Sequence, residues 1–322
     1  MQIDYASIIG IPSSIVSYNV PLSSRSWLHR GGNVKVYFTP QTYEQILLIA
    51  KYLYSKRAKF DVIGHSSNIY FKDSYCTDYV LDTKKWSGIE FLSDDTILTT
   101  SGQAMTKLSR MCMERGIAGY EGFVSLPGTV GGAVVNNSGC YGSLMEEVVR
   151  QVELLMPNGE IEILSKEKLN YSHRNSALKN KTIEGIVLRV WLDASRHDLP
   201  AILIEKAKGY ALDRKRTQQG PLNNLGSTYA QLPYKHNVRN FISRVFAKFF
   251  SICRVDVIKA RKYMKYVYLT LYGELKIAKY ISDYWIGCFV WQDAGADEAF
   301  KRYCKMMNRI YNCPRLEIEV RE

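Results

Sequence analysis

The sequence predicts a chain of mixed helices and strands, an α+β fold, divided into two or three domains. Segments with strand and helix patterns alternate over roughly the first two hundred residues. The length of 322 residues exceeds that of one ordinary domain, which is about 100 to 200 residues. Hydrophobic residues make up 46% of the chain and charged residues 23%, which excludes a disordered or fibrous protein and indicates a sizeable core.

The first predicted elements are a strand, a helix and two short strands. Residues 34–38 are rich in strand-forming side chains, and Pro40 ends that strand. Thr42 can cap a helix, because apolar residues recur after it at helical spacing, namely Ile46, Leu47, Ala50, Leu53 and Tyr54. Strands are then expected over 60–63 and 69–71, joined by a loop of small, turn-forming residues.

Strand and helix signals continue along the chain, with one weak stretch. Asn158-Gly159 between two apolar runs predicts a β-hairpin. Gly116 closes a predicted helix just past its C-terminus. Alternating apolar residues over 186–192 predict a strand with one buried face. The other expected elements are a strand over 96–100, hairpin strands over 152–156 and 161–164, helices over 105–115, 199–216 and 296–311, a loop over 218–224 and a last strand over 316–320. The pattern is weak between that loop and the last helix.

The charge of the chain predicts an anionic partner and lies mostly in one late segment. There are 43 Lys and Arg against 31 Asp and Glu, a net charge of +12. Nucleic acid, a membrane surface or a phosphorylated small molecule would each suit that charge. The segment 235–279 holds eleven basic and two acidic residues, nine of the twelve net charges, and is rich in Phe and Tyr.

Two interpretations of this basic segment stay open. Cations interleaved with aromatic rings suit nucleic-acid binding, and peripheral contact with an acidic membrane suits them too. A solvated basic face over an aromatic core is the simpler interpretation and the one we favour. Since the chain has no nucleic-acid-binding motif, we expect no specific nucleic-acid partner.

Cysteine usage and hydropathy predict a cytoplasmic protein without a metal site. The seven cysteines are an odd number, widely spread, with no CxxC pair and no metal-ligand spacing to the five histidines. The amino terminus lacks the basic start and apolar run of a signal peptide. No run of about 18 apolar residues occurs, so no transmembrane segment is expected. The oligomeric state is expected to be monomeric.

Two glycine-bearing loops suggest an anion-binding site. They are Gly64-His65-Ser66-Ser67-Asn68 and residues 125–133, SLPGTVGGA. Glycines let backbone amides approach a pyrophosphate closely, and Ser or Asn side chains add further donors. Neither loop has the GxGxxG spacing or the Lys-Ser/Thr ending of a P-loop, which disfavours a Rossmann dinucleotide site and an ordinary NTPase.

Six segments resemble the UDP-N-acetylenolpyruvoylglucosamine reductase family, flavoenzymes whose FAD-binding domain is of the vanillyl-alcohol oxidase type. The resemblance extends over almost the whole chain, in the family's order. The strongest segment is 116–142, GIAGYEGFVSLPGTVGGAVVNNSGCYG. The others are NVPLSSRSWLHRGG (19–32), VIGHSSNIYFKD (62–73), NYSHRNSALK (170–179), RKRTQQGPLNNLGSTY (214–229) and LEIEVR (316–321).

The resemblance implies a cofactor, a substrate class and a division of the chain. It implies noncovalent FAD reduced by NAD(P)H, and an anionic sugar-nucleotide substrate whose enolpyruvyl ether is reduced to a lactyl ether. It further implies two FAD-binding lobes, 1–81 and 82–193, and a substrate-binding domain, 194–322. The implied FAD contacts are Gly64, His65, Ser66, Ser67, Asn68, Pro127, Gly128, Thr129, Gly131, Gly132, Asn136, Gly139 and Tyr141.

Three residues match the family's catalytic positions. Arg174 matches the arginine that polarises the substrate carboxylate, Ser227 the proton donor, and Glu319 a carboxylic partner near the C-terminus. An arginine fork suits a carboxylate beside which negative charge develops. Glu317 lies two residues earlier, on the same face of the predicted strand, and is the alternative to Glu319. His173 stands where the family has tyrosine.

Departures from the family keep two other functions open. Residues 228–232 lose the family's Lys and Asn on the diphosphate side, and 235–284 has no counterpart in the family. His65 stands where related oxidases attach flavin covalently, which would suit a carbohydrate oxidase. The third possibility is a catalytically decayed flavoprotein fold whose basic segment binds a polyanion or an acidic membrane.

Overall fold

The chain, seen in a computed structural model, is described over residues 3–322 and forms two compact units. The first unit includes the chain up to Ser67 and Asp73–Ala211. The second unit comprises Asn68–Lys72 and Leu212–Glu322. Among the described residues, no helix is both long enough and apolar enough to cross a bilayer.

The strands and helices are numbered in chain order. The strands are β1 (Val16–Pro21), β2 (Asn33–Phe38), β3 (Phe60–Ile63), β4 (Ile69–Phe71), β5 (Thr77–Asp82), β6 (Ile89–Phe91), β7 (Thr96–Thr100), β8 (Gly139–Cys140), β9 (Ser143–Leu144), β10 (Val149–Leu155), β11 (Ile161–Ser165), β12 (Ile186–Asp193), β13 (Tyr229–Gln231), β14 (Arg315–Leu316) and β15 (Glu319–Arg321). The helices are α1 (Tyr5–Ile9), α2 (Tyr43–Ser55), α3 (Met105–Glu114), α4 (Val130–Asn136), α5 (Met145–Val148), α6 (Pro200–Thr217), α7 (Val238–Ile252), α8 (Val257–Tyr272) and α9 (Ala296–Ile310).

The first sheet of the first unit has the order β1-β2-β5-β3. Helix α2 covers it, as its capping residue and apolar spacing predict. The Thr42 side chain caps the N-terminus of α2, because it accepts a hydrogen bond from the Gln45 amide, which has no acceptor within the helix. The apolar face of α2 is buried in one core with Phe38 and Leu81 of the sheet. The predicted strands 34–38 and 60–63 are confirmed by β2 and β3.

The second sheet of the same unit has the order β11-β10-β12-β7-β6 and is antiparallel. The hairpin predicted at Asn158-Gly159 joins β10 to β11, and Gly159 has the positive φ of such a turn, +86°. Helices α3 and α4 pack on this sheet through one continuous core. The two predicted elements 96–100 and 105–115 therefore form β7 and α3.

The single buried face predicted for 186–192 is wrong, because β12 contributes to two cores. Ile186 and Leu188 pack in the core beneath the first sheet, whereas Val187 and Val190 pack in the core of the second sheet. A strand covered on both faces carries continuous apolar residues at its start, where alternation gives no information about exposure.

The second unit is built around an aromatic core and helices. The parallel pair β4–β15 joins the early segment to the C-terminus of the chain, and β13 pairs with β14. The ring of Phe289 lies 5.1 Å from those of Phe300 and Tyr303, and Trp291 lies 5.0 Å from Tyr70. The predicted helix 296–311 is α9, which supplies two of these rings. The predicted last strand, 316–320, is instead divided into β14 and β15.

The weak pattern after the 218–224 loop hides two long helices, α7 and α8. The boundaries predicted for the two lobes and the substrate domain stay a prediction. The boundary between the observed units lies at another position in the sequence, because the first unit holds both sheets and continues to Ala211. It does so because Leu203 and Ala207 of α6 pack against Met113 in the first unit.

Candidate functional site

The two glycine-bearing loops lie side by side, and their residues other than Asn68 belong to the first unit. The Ser67 hydroxyl donates a hydrogen bond to the Pro127 carbonyl, 3.1 Å away. A Cβ atom added to Gly64 would lie 2.2 Å from the Thr129 Oγ1 atom, so this contact requires glycine. The loops predicted from separate parts of the sequence therefore form one surface.

Ser66 holds the first loop in shape. Its backbone is left-handed, with φ of +51°. Its hydroxyl donates to the His65 carbonyl at 2.7 Å and accepts from the Trp27 amide at 2.9 Å. Because the hydroxyl is buried and used in these two bonds, Ser66 shapes the loop through its side chain.

His65 connects the first loop to the second. Burial lowers the pKa of His65 below its usual value, although a hydrogen bond with the Gly128 backbone opposes that shift. The imidazole is therefore neutral at pH 7 and is held against Gly128. This contact gives His65 a packing and hydrogen-bonding role between the loops.

Gly131 is needed for close packing at the start of α4. A Cβ atom there would lie 2.8 Å from the Ser101 Cβ atom. The Gly131 amide donates to the Ser101 carbonyl at 2.9 Å, and the Val130 amide donates to the Gln103 carbonyl at 2.8 Å. Since these amides already have acceptors in the protein, the predicted phosphate contact at Gly131 would not use its N–H group. Thr129 caps the same helix by accepting from the Gly132 amide, at 3.5 Å.

Two features of these loops fit a phosphate-bearing cofactor such as FAD. Gly128 has φ of +125°, and a Cβ atom there would meet only the Ser67 hydroxyl within 4 Å, so the backbone is open to close approach. Ser101 is buried, and its hydroxyl has no hydrogen-bond partner within residues 3–322. An unsatisfied buried hydroxyl costs about 1–3 kcal/mol, which a polar ligand atom would offset.

Arg174 is held beside the end of the Asn136–Tyr141 part of the predicted FAD site. Its Nη2 atom donates to the Gly139 carbonyl at 2.8 Å. Arg174 stands at the tip of a tight turn in which the Ser172 and Asn175 backbones exchange hydrogen bonds of 3.1 and 3.0 Å. Its φ is +53°, a left-handed conformation that non-glycine residues rarely adopt.

The side chains around this turn fix its position on α4. Ser176 is buried, and its hydroxyl donates to the Val135 carbonyl at 2.6 Å. Asn137 ends α4 with φ of +44°, and its side chain donates to the Ser172 carbonyl at 2.9 Å. Neither residue was among the predicted site residues. Asn in the left-handed position after a helix was the signal that could have identified Asn137.

Two more predicted FAD contacts lie near α4. The Asn136 side chain donates to the Gly132 carbonyl one helical turn earlier, at 3.0 Å. Tyr141 is left-handed, with φ of +47°, and its ring stacks on that of Tyr210, with centroids 4.9 Å apart and planes at 11°. The predicted FAD contacts in the first unit thus form two groups, one at the paired loops and one around α4.

Ser227 lies in the second unit, in a firmly anchored segment. Gly226 before it has φ of +75°, and its amide donates to the Asn224 side chain at 2.9 Å. Thr228 after it donates through its amide to the Gly287 carbonyl, 2.8 Å away, and accepts from the Phe289 amide on Oγ1, at 3.0 Å. Ser227 is half-buried, and in the described part of the chain its hydroxyl has no hydrogen-bond partner. That hydroxyl is therefore available to a ligand.

The backbone of Glu317 contacts the residue after Ser227, whereas the backbone of Glu319 contacts Asn68. The Thr228 carbonyl accepts from the Glu317 amide, and the Asn68 carbonyl accepts from the Glu319 amide, each at 2.9 Å. The Glu319 carboxylate pairs with Arg321 at 2.8 Å. Because β14 ends at Leu316 and β15 begins at Glu319, the alternation that placed both glutamates on one strand face does not apply.

Asn68 belongs to the second unit, unlike the other predicted FAD contacts. Its side chain donates to the Glu317 carbonyl at 3.1 Å. Of the three predicted catalytic residues, Arg174 lies in the first unit, and Ser227 and Glu319 lie in the second. Over residues 3–322, no group of three or more His, Cys, Asp or Glu side chains is arranged to hold a metal ion.

Comparison with known proteins relates this chain to flavoenzymes. Residues 34–165 match the FAD binding domain family. The UDP-N-acetylenolpyruvoylglucosamine reductase of Caldanaerobacter subterraneus subsp. tengcongensis is 29% identical over 217 residues, 67% of this chain and 70% of that protein. The reductase of the same name from Staphylococcus aureus strain COL is 27% identical over 226 residues, 69% of this chain and 71% of that protein.

A solved structure extends the likeness in fold to nearly the full length. The UDP-N-acetylenolpyruvylglucosamine reductase of Thermus caldophilus superimposes with a TM-score of 0.68 and covers 95% of this chain and 99% of its own. The sequence identity is 19%, so this likeness is one of fold.

Proposed function

Because the chain is a divergent member of the UDP-N-acetylenolpyruvoylglucosamine reductase family, with an FAD-binding domain of the vanillyl-alcohol oxidase type, we propose that it reduces an enolpyruvyl sugar nucleotide. The substrate is UDP-N-acetylenolpyruvoylglucosamine or a close relative, the cofactor is FAD and the reductant is NADPH. Its product, the lactyl ether, belongs to peptidoglycan synthesis. The observation that carries the proposal is the Arg174 guanidinium on the Gly139 carbonyl, at the predicted cofactor segment.

The paired loops and the start of α4 would hold FAD, which in its reduced form would supply the hydride for the terminal carbon of the enolpyruvyl group. Negative charge then develops next to the substrate carboxylate. Arg174 suits that carboxylate, because a guanidinium presents planar N–H donors and keeps its charge. The left-handed turn and the contact with Gly139 fix its direction before substrate binds, which is the preorganisation that stabilises developing charge.

The remaining step is protonation of the carbon beside the carboxylate. We propose that the Ser227 hydroxyl donates this proton. The residues before and after Ser227 are held by hydrogen bonds, and its own hydroxyl has no hydrogen-bond partner among residues 3–322. Glu319 or Glu317 would supply a further hydrogen bond or proton at the substrate carboxylate. The Glu319 contact with Arg321 orients one carboxylate in that region, which supports Glu319.

The contacts of His65 support noncovalent FAD. Its imidazole is hydrogen-bonded to the Gly128 backbone and joins the two loops. We therefore assign it a role in loop packing and propose no bond to the flavin. The seven cysteines, all free, support a reducing compartment, and we therefore place the reaction in the cytoplasm. We propose that the enzyme is a monomer.

The test is an anaerobic two-step experiment with the purified yellow protein. NADPH is added first, and loss of the flavin absorbance reports the first half-reaction. Adding UDP-N-acetylenolpyruvoylglucosamine should then restore the oxidised spectrum, whereas UDP-N-acetylglucosamine, which lacks the enolpyruvyl group, should not. Reduction of the flavin by a plain sugar, followed by reoxidation by oxygen and not by the enolpyruvyl sugar nucleotide, would replace the proposal with an oxidase.

A further inference from the structure

Helix α7 buries two uncharged polar residues and exposes a row of apolar ones. Asn240 and Ser243 are buried, and the Asn240 side chain donates to the Ile310 carbonyl at 2.7 Å. The exposed apolar residues, which we call the outer stripe, are 54% to 75% exposed and recur every three or four residues: Val238, Phe241, Val245, Phe249 and Ile252. At about 100° per residue, the outer stripe lies on the side of α7 opposite the buried pair.

The neighbouring helix α8 does not cover the outer stripe. Helix α8 already packs on α7 from another side, where the Phe250 ring lies 5.6 Å from that of Tyr263 and 6.4 Å from that of Phe246. Contiguous exposed apolar patches on proteins mark surfaces that bind a partner. We therefore expect the outer stripe to bind a partner.

The charge around the outer stripe identifies the chemistry of that occupant. Residues 238–262 hold seven basic side chains and one acidic side chain. The acidic one, Asp256, is used to cap α8 through the Ile258 and Lys259 amides. Among residues 3–322, no carboxylate forms an ion pair with the side chains that border the stripe and the α7–α8 turn, namely Arg244, Lys248, Arg254, Lys259 and Arg261.

A basic cavity continues the outer stripe at its N-terminal end. The cavity has a volume of about 330 Å³ and includes Val238, the first residue of the stripe, in its lining. The guanidinium groups of Arg239 and Arg309 lie 5.4 and 5.2 Å from the Tyr272 ring centre, which fixes two cations in the wall. Lys235 adds a third cation. Such a cavity suits a phosphate group.

We propose that the outer stripe and its basic border bind the surface of a membrane rich in anionic phospholipid. The apolar side chains enter the boundary between headgroups and acyl chains, and the cations meet headgroup phosphates. A second copy of this chain is a poorer occupant, because pairing two such faces would bring like charges together. A nucleic acid would use the cations but leave the stripe exposed.

The test is flotation of the full-length, FAD-bound protein with two kinds of vesicle, phosphatidylcholine alone and phosphatidylcholine with phosphatidylglycerol. Binding is expected only with phosphatidylglycerol, and it should fall as salt is raised. Phe241→Ser together with Phe249→Ser should weaken binding by at least about tenfold, since each truncation removes apolar area from the bound state. Lys248→Glu together with Arg254→Glu should weaken it as well.

Matched controls come from α6, which contributes no residue to the outer stripe or its basic border. Leu212 is 69% exposed, and Leu212→Ser should leave vesicle binding unchanged. Lys208→Glu is the corresponding charge control. Retained flavin and an unchanged melting temperature would show that each variant folds.

Three results would overturn the proposal. Equal binding to both kinds of vesicle would remove the role of charge. Full binding by the double Phe variant would remove the role of the stripe. Concentration-dependent dimers that the Phe substitutions abolish, seen by light scattering without vesicles, would identify a second copy as the occupant.

Discussion

Several residues of the candidate site have backbone conformations that their side chains disfavour. Ser66, Tyr141 and Arg174 are left-handed, with φ of +51°, +47° and +53°. Such a conformation costs on the order of 1–2 kcal/mol for a residue with a side chain. It persists here because neighbouring hydrogen bonds determine each position, as Asn137 and Ser176 do around Arg174. All three residues belong to the cofactor and substrate site that the sequence predicts.

Replacing Arg174 by Lys should separate its charge from its shape. Lys keeps the positive charge but lacks the planar fork, so we expect the rate of flavin reoxidation by substrate to fall by about a hundredfold or more. Reduction by NADPH should be unchanged, because the role we propose for Arg174 is on the substrate carboxylate. Stopped-flow absorbance measures both steps. Arg110→Lys, at an exposed position of α3, is the control, and an equal effect on both steps would contradict the assigned role.

Replacing Ser227 by Ala should slow the second half-reaction by about a hundredfold to ten-thousandfold, the usual range for a positioned proton donor. Ser227→Cys retains a donor and should recover part of that loss. FAD content and the first half-reaction serve as internal controls. Reoxidation at the wild-type rate in Ser227→Ala, with flavin bound, would show that another group supplies the proton.

His65 predicts how the flavin is held. After acid precipitation, the yellow colour should remain in the supernatant, because the role we propose for His65 is packing against Gly128 and not attachment of the flavin. The measurement is the flavin absorbance of pellet and supernatant. Colour that stays with the wild-type pellet but leaves the pellet of His65→Ala would establish a covalent link and the oxidase-like alternative.

At the scale of elements, local signals predicted most of the first two hundred residues. Thr42 and Gly159 act within a few residues of where they stand, so a cap or a turn can be recognised without knowledge of the fold. The pairing of the two glycine loops could not be predicted in this way. It depends on contacts such as Gly64 against Thr129, between residues distant in the chain.

Helices α7 and α8 escaped prediction for a related reason. Sequence periodicity identifies a helix by one apolar face that turns inward. Here the residues buried by the fold include Asn240, Ser243 and Lys265, whereas Phe and Val side chains face outward among basic residues. The spacing of the apolar residues therefore did not identify the buried face of either helix.

The glycine in α4 provides a prediction about an element. Gly131→Ala places a Cβ atom 2.8 Å from the Ser101 Cβ and 3.1 Å from the Ser101 carbonyl oxygen, so it should destabilise the first unit by about 1–3 kcal/mol and lower FAD affinity. Gly209→Ala in α6 is the control, because nothing lies within 4 Å of its Cβ position. That variant should gain about 0.5–1 kcal/mol. Urea unfolding followed by circular dichroism measures both, and equal stability of the two variants would contradict the packing role of Gly131.

At the scale of the whole molecule, the chain combines the predicted site residues of a flavoenzyme family with an exposed apolar and basic surface on α7. The family resemblance located Arg174, Ser227 and Glu319 in sequence, and the structure places them in two different units. The basic segment 235–279 carries nine of the twelve net charges and lies in the second unit. From the sequence alone we interpret this segment as a basic face over an aromatic core. Tyr272 is buried and fits that interpretation, whereas the exposed outer stripe does not. Charge counting could not reveal which side of a helix is buried.

Acid stability tests the electrostatics of the folded chain. A hydrogen bond from Lys279, with a second from Tyr280, lowers the pKa of Asp293 to about 2. A carboxylate with a lowered pKa stabilises the folded state above its unfolded pKa of about 4, and that stabilisation is lost as the pH falls towards 2. We therefore expect the melting temperature of Asp293→Asn to lie below that of the wild type at pH 6, and the difference to shrink between pH 4 and pH 2. Thermal melts at a series of pH values measure this difference. Because both proteins gain the same positive charge elsewhere on acidification, general charge repulsion cancels in the comparison. A difference that stays constant down to pH 2 would mean that Asp293 contributes packing or hydrogen bonds that do not depend on its charge.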